Sequence, residues 1–472
     1  MSTYQYRQIA RIVIEAVTPL AVGAGEKSLL TDSVVARDVN GLPYIPGTAI
    51  AGIIRHELRE LNHDDKFFGF SDKKKNSGKG SEIIFSSAQI VDSDGKAIEG
   101  LISDRSDYLK LFDELPIRQH VKMNEKGTAD VKKHAKFDEE VVYKGARFMF
   151  EIELLSETKE DRNFQAVLDE LSKDTIRFGG GTRKGFGEIK IVSLNCDLFD
   201  LSDSDELEKY INKTSSLNDE IWQSSNSQIL KSSNSGDWTT YHLTLTADDF
   251  FLFGSGMGDD EADMTPVTES YIDWSSGKPE IKANTILIPG SSVKGAVAHR
   301  VAYHYNKSES VFADKLNADE LLSKGYQIPE KFKGDIKEMV IDYNPAVRAL
   351  FGCTSQDEKE QKRGNVLISD VIQGSYTNTN KKILNHVSID RFTGGAIEGA
   401  LFSENVVYGK DVSYILTFKV RKTAIENEDV KMAFENTLND ICSGLLPLGG
   451  GTNRGHGCFK GKLFINEKEE SK

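Results

Sequence analysis

Cysteine is scarce in this chain. The 472 residues hold four (Cys196, Cys353, Cys442 and Cys458) with no paired spacing, which excludes both a disulfide framework and a cysteine-pair zinc site. Long apolar runs are missing as well. No stretch approaches the roughly 20 residues that a membrane helix requires, so no membrane partner is expected. Met1 to Pro19 lacks the basic-then-apolar layout of a signal peptide. A reducing, cytoplasmic setting is the expectation. Nor is there a surplus of positive charge, since 59 Lys and Arg stand against 73 Asp and Glu for a net charge of −14. This balance disfavours a nucleic acid held by overall attraction, yet it permits one held in a local cationic groove. Cations gather around Lys73 to Lys75, around Lys132 to Lys136, and in two glycine-rich stretches.

Those stretches are what the chain is organised around. Gly179-Gly180-Gly181-Thr182-Arg183-Lys184-Gly185-Phe186-Gly187 returns as Gly449-Gly450-Gly451-Thr452-Asn453-Arg454-Gly455-His456-Gly457. The glycines and the threonine keep one spacing, and a cation follows each threonine. Each copy lies between an amphipathic segment and a strand-like run. Such a backbone reaches positive φ and exposes successive N–H groups that suit phosphate oxygens. One such loop is usually only a turn; two at matched positions mark an internal duplication.

The rest of the chain agrees. Ile45-Pro46-Gly47-Thr48-Ala49-Ile50-Ala51-Gly52 aligns without a gap on Ile288-Pro289-Gly290-Ser291-Ser292-Val293-Lys294-Gly295. Helical stripes follow, Ile50, Ile53, Ile54, Leu58 and Leu61 in one copy and Val293, Val297 and Val301 in the other. Thr48 and Ser291 are the expected N-caps, at helix starts that face outward and attract phosphate. Arg55 and Lys294, near those starts, are the expected phosphate partners. His120 and His386 open equivalent strands. Each half reads β, helix, β, β, helix, β, an α+β pattern in the ferredoxin-like order. The expected division is residues 1–198, an acidic and Ser/Asn-rich linker at 199–237, and residues 238–472.

Taken together, these motifs resemble the RAMP superfamily of CRISPR-associated proteins. The features that carry the likeness are the Gly-x-Gly after each first strand, the Pro43 to Thr48 and Ile288 to Gly295 runs, Asp390 to Ala396 and the two glycine loops. More closely, the chain looks like the backbone subunits of type III effector complexes, with two units fused as in a subtype III-D variant. The resemblance implies that each unit grips guide RNA (crRNA) and projects a thumb hairpin, here within Leu101 to Lys136 and Gly374 to Gly399. Base pairing then reads the target RNA while the protein holds the backbones.

The implied partners are crRNA, complementary target RNA, other RAMP subunits and the large signalling subunit of the complex. RNA contacts are expected at Gly47, Thr48, Arg55, Gly180, Thr182, Arg183 and Lys184. In the second unit they are expected at Gly290, Ser291, Ser292, Lys294, Gly450, Thr452 and Arg454. Family catalysis implies an aspartate before the Ile-Pro-Gly turn, and Asp32-Ser33-Val34-Val35 fits. Counting back from Thr265-Pro266-Val267 puts Met264 at that place, which leaves either Asp263 or Asp260 as the substitute or a second site without activity. One carboxylate per site suits endoribonuclease cleavage by the 2′-hydroxyl aided by Mg²⁺ or another divalent ion, with Asp32 as a metal ligand. No organic cofactor is implied. The alternatives are a binding-only scaffold and a metal-independent guide-processing ribonuclease using His120 or His386.

Overall fold

The computed structural model describes residues 4–28, 31–72, 77–121, 136–159, 161–219, 236–312, 317–326, 343–353, 361–410 and 412–466. The chain is mixed α+β, and its two halves repeat one path. The first half runs β1 (Tyr6–Ala16), α1 (Gly47–Glu60), β2 (Ile83–Phe85), β3 (Ile117–Val121), β4 (Lys136–Glu140), β5 (Arg147–Ser156), α2 (Arg162–Leu171) and β6 (Ile189–Asp200). Its main sheet is antiparallel in the order β2-β5-β1-β6, while β3 and β4 pair in a separate hairpin.

The second half begins with β7 (Trp238–Ala247), β8 (Thr268–Asp273), β9 (Glu280–Ile288) and α3 (Gly290–Ser308). It continues through β10 (Val366–Ile368), β11 (Val371–Ser375), β12 (Lys381–Ile389), β13 (Ala396–Tyr408), β14 (Ser413–Arg421), α4 (Glu428–Cys442) and β15 (Phe459–Ile465). The sheet order β10-β14-β7-β15 copies the first half, and β12 and β13 form the matching hairpin. Among the described residues the β8–β9 hairpin has no matching strand pair in the first half, where the tight turn Asp38 to Leu42 occupies that place.

Spacing explains the cores. Ile50, Ile54 and Leu58 recur every fourth residue, so they share one face of α1 and are buried against the sheet. In α4 the stripe is Val430, Phe434, Leu438 and Ile441, and Asn427 caps that helix by accepting from the Asp429 and Val430 N–H groups. β7 buries every second residue, as a sheet with one covered face should. β1 departs from that alternation, because Arg11 and Glu15 are buried too. Arg11 pairs with Glu151 at 3.0 Å, and Glu15 pairs with Arg147 and Lys190.

The cover over this outer face comes from a segment expected to be linker. Residues 199–219 extend β6, form a helix at Ser204–Asn212 and fold back on the first half. Leu217 is buried beside Val91, Ala97 and Met149, and Arg11 donates to the Ser216 and Asp219 carbonyls. Burial of Leu217 and the pull of Arg11 override the acidic composition that signalled a linker. The Ser/Asn-rich part, 220–235, lies outside the described residues, as do Lys73 to Lys75 and 122–135.

The halves meet along a polar seam. The Ile272 N–H donates to the Lys144 carbonyl at 2.9 Å, and Trp274 Nε1 donates to the Gly145 carbonyl at 2.8 Å. Arg118, on β3 of the first half, reaches Glu269 on β8 and sits 3.0 Å from Asp370 of the second half. All three side chains are nearly inaccessible, at 7%, 2% and 1% exposure. Elsewhere along the seam, Glu188 receives Arg177 and the Ser369 hydroxyl, Lys419 bridges to Asp174, and Arg421 pairs with Glu60.

Two carboxylates share one guanidinium here, which sets a pH dependence. Burial pushes Glu269 up to about 7, Arg118 opposes the shift, and Asp370 adds to it. An unfolded glutamate titrates near about 4.3. Between the two values the folded state holds a proton that the unfolded chain has released, so stability falls as pH rises across that window. Glu269→Gln should remove this component. Thermal melts from pH 4.5 to 8 should then show a shallower decline for the variant than for the parent. Parallel curves would exclude Glu269 as the source.

Candidate nucleic-acid interface and carboxylate loops

The two glycine loops are superimposable in their bonding. In the first, the Gly180 N–H donates to the Ala21 carbonyl and the Gly187 N–H to Pro19; in the second, Gly450 donates to Leu252 and Gly457 to Phe250. Gly181 and Gly451 both sit at positive φ (65° and 69°), where a Cβ would strike the Phe186 ring and the His456 ring respectively. The Gly180 and Gly450 amides are therefore spent on the strand-exit segments, against the expectation that they face phosphate. Thr182 is half-buried and Thr452 exposed.

Each helix begins two residues earlier than expected. Pro46 and Pro289 are the N-caps, and neither Thr48 nor Ser291 makes a capping bond. The proline carbonyls already accept the first turn's amides, from Ala49 and Ile50 and from Ser292 and Val293. Gly47 and Gly290 are buried, where a side chain would strike the Phe85 carbonyl in one case and Gly185 with the Lys184 carbonyl in the other. The Gly290 N–H donates to Asp370 Oδ1 at 2.7 Å, so that donor is committed. Both glycines serve close packing. Arg55 is also committed, to Asp65 and to the Gly69 carbonyl at 2.8 Å.

What remains open is a groove. Thr48, Gly52, His56, Gly23 and Gly180 line a cavity of about 460 Å³ between the α1 N-terminus and the first glycine loop, with Arg363 of the second half on its rim. Nearby, Lys184 lies 4.5 Å from the Phe137 ring, and Lys294 and Arg183 share its neighbourhood. Burial, then the Lys184 and Arg183 charges, hold Lys294 below the ordinary lysine range. Cations gathered this closely beside a groove suit an anion. Ser292 is exposed beside them, and Ser291 is half-buried.

Arg454, at the Lys184 position of the second loop, is engaged instead. Its Nη2 donates to Glu404 at 2.6 Å, while His386 and His456 approach the other oxygen of Glu404 at 2.8 and 2.9 Å. Burial of Glu404 opposes ionisation, but Arg454 and the two histidines outweigh it and hold the carboxyl low. His120 and Glu139, 2.8 Å apart, form the corresponding pair in the first half. Both histidines are thus anchored at the base of a hairpin, and His456 is buried.

The aspartates fall into a clear register. Asp32 and Asp138 exchange bonds at the base of the β3–β4 hairpin: the Asp32 N–H donates to Asp138 Oδ1 at 2.8 Å, and the Asp138 N–H faces Asp32 Oδ2 at 3.4 Å. In the second half Asp263 and Ser403 do the same. The Asp263 N–H donates to Ser403 Oγ, and the Ser403 N–H donates to Asp263 Oδ2 at 2.7 Å. Ser33 bridges to Glu139, and Met264 bridges to Glu404. Asp263 is therefore the counterpart of Asp32, and Met264 is the counterpart of Ser33. Asp260 lies outside this register, in a turn held by Asp259 accepting from the Glu261 and Ala262 N–H groups. Both counterparts are exposed, and Ser403 bonds hold the Asp263 carboxyl below its usual range.

A family model of the RAMP superfamily matches residues 13–190 and 253–460. The chain belongs to the RAMP superfamily. The two matched regions coincide with the two repeated halves, so the chain is a tandem of RAMP units. Membership is consistent with a CRISPR-associated RNA-binding subunit. No curated protein matches the chain. No RAMP helix among the described residues is long and apolar enough to cross a membrane. Those residues also hold no group of three His, Cys, Asp or Glu side chains placed to bind one metal ion. An ion here would rest on one carboxylate per loop, or on Asp32 with Asp138, and magnesium accepts so few protein ligands when phosphate and water complete its shell.

Proposed function

We propose that this tandem RAMP chain is a guide-RNA-binding backbone subunit of a type III CRISPR effector complex, acting in antiviral defence, and that it cuts complementary target RNA at two places. On this reading each half is a ferredoxin-like unit. The β3–β4 and β12–β13 hairpins are its thumbs, and other RAMP subunits and the large signalling subunit are its neighbours. The observation that carries the proposal is the matched pair of exposed aspartates, Asp32 and Asp263, each locked by reciprocal bonds to the base of a hairpin.

A hairpin that interrupts a guide–target duplex turns one target nucleotide out of line. Its 2′-hydroxyl can then attack the adjacent phosphate in line, an orientation effect, while the bond to the next nucleotide's 5′-oxygen breaks; the products are a 2′,3′-cyclic phosphate and a 5′-hydroxyl that takes its proton from water. Asp32 or Asp263 takes the hydroxyl proton as a general base. When bound, Mg²⁺ at the same carboxylate supplies charge stabilisation to the reacting phosphate. The histidines support this choice over a guide-processing ribonuclease, because His120 and His386 are committed to Glu139 and Glu404.

The test is an assembled complex of this chain with guide RNA and partner subunits, given end-labelled complementary RNA in Mg²⁺ or in EDTA. Two discrete products per chain in Mg²⁺ and none in EDTA are expected. Tight target binding without any product would make the chain a scaffold.

A further inference from the structure

A second cavity, of about 480 Å³, adjoins the groove at Thr48 and Gly180, and the two share His56 and Arg363 on their walls. Five cations line it: Arg183 from the first half, and Arg348, Lys362, Arg363 and Arg421 from the second. Arg363 is matched by Glu57 at 3.2 Å, and Arg421 by Glu60 at 2.9 Å. Arg183 spends its Nε on the Gly364 carbonyl at 2.9 Å, and Arg348 lies over the Tyr343 ring. Among the described residues, no carboxylate lies within ion-pair distance of Arg183, Arg348 or Lys362. On a chain of net charge −14, a pocket with this excess of cations is a local reversal of sign. Burial first, and then the neighbouring Arg363, pull Arg183 down to about 9.

We propose that this cavity binds a backbone phosphate of the same RNA strand that the first half's groove holds, so that Arg348 and Lys362 continue the track across the seam. The inference rests on the guide-RNA reading above. It adds that the second half supplies charge to the first half's strand. A phosphate has two conceivable sources, an RNA strand or a free mononucleotide, and the experiment separates them.

Fluorescence anisotropy of the full chain with a labelled single-stranded RNA, across a KCl series, measures affinity and salt slope together. Each single-strand phosphate contact contributes about 0.7 to the slope of log K against log salt. Arg348→Gln/Lys362→Gln should therefore lower the slope by about 0.7 to 1.4 and weaken binding roughly tenfold near physiological salt. The charge-preserving exchange Arg348→Lys/Lys362→Arg should restore both, which excludes a folding defect. Unchanged affinity and slope in the glutamine variant, with weakened binding in Lys184→Gln/Lys294→Gln, would overturn the proposal and leave the guide-RNA reading standing. No RNA binding by the unaltered chain would remove that reading and this inference with it. Loss of adenosine monophosphate binding with RNA binding intact would make the cavity a free-nucleotide site and overturn the strand assignment.

Discussion

Asp32→Ala is expected to erase one product from the cleavage of complementary RNA, and Asp263→Ala the other. Removing a positioned general base costs about 10²- to 10⁴-fold in rate, enough to take a band below detection. Target binding should stay unchanged, because both carboxylates are exposed and neither supports a core. Each aspartate accepts bonds from a hairpin residue, so alanine also loosens that contact. Asp32→Asn and Asp263→Asn keep an acceptor at the same place and should be nearly as inactive, which ties the loss to charge. Asp260→Ala should cleave normally, since it stands outside the shared register. A full ladder from Asp263→Ala, or one lost only on changing Asp260, would reverse the assignment.

The second large effect is structural. Arg118→Met should destabilise the folded chain by about 3–5 kcal/mol, the usual result of leaving buried charge without its partner. Glu269 and Asp370 would face each other at the seam with nothing between them but a thioether. Chemical denaturation should show the loss at pH 8, and a smaller loss near pH 5, where Glu269 holds its proton. Arg118→Met with Glu269→Gln and Asp370→Asn together should recover much of the stability. Failure of that triple change to recover any would show that Arg118 acts through packing alone, such as its place over the Phe186 ring.

Much of the architecture was legible because it is written twice. Two glycine loops, two Ile-Pro-Gly turns and two apolar helix stripes located the halves and the groove between Thr48 and Gly180. The Asp263 register was not legible. Matching Val35 to Val267 by identity slips the alignment by one residue, whereas backbone pairing sets Val35 against Pro266, through the bridges Gly23–Val35 and Gly254–Pro266. Helix caps were misplaced for a related reason: a hydroxyl after Pro-Gly looks like a cap, but the proline carbonyl holds that position. The commitments of Arg454 and Gly290 depend on partners far along the chain, which local pattern does not reveal. Arg118, Glu269 and Asp370 belong to different halves and meet only on folding.

Gly185 closes against the Asp370 carboxylate, at a φ of 122° and with no room for a side chain. The two halves are therefore clamped by the folded seam and not merely tethered by their covalent connection. A protease nick between 220 and 235 should leave them co-migrating, and lengthening that connection should leave the interval between the two RNA products unaltered. On the proposed reading, the seam and not the connecting segment would fix the distance between the two cuts.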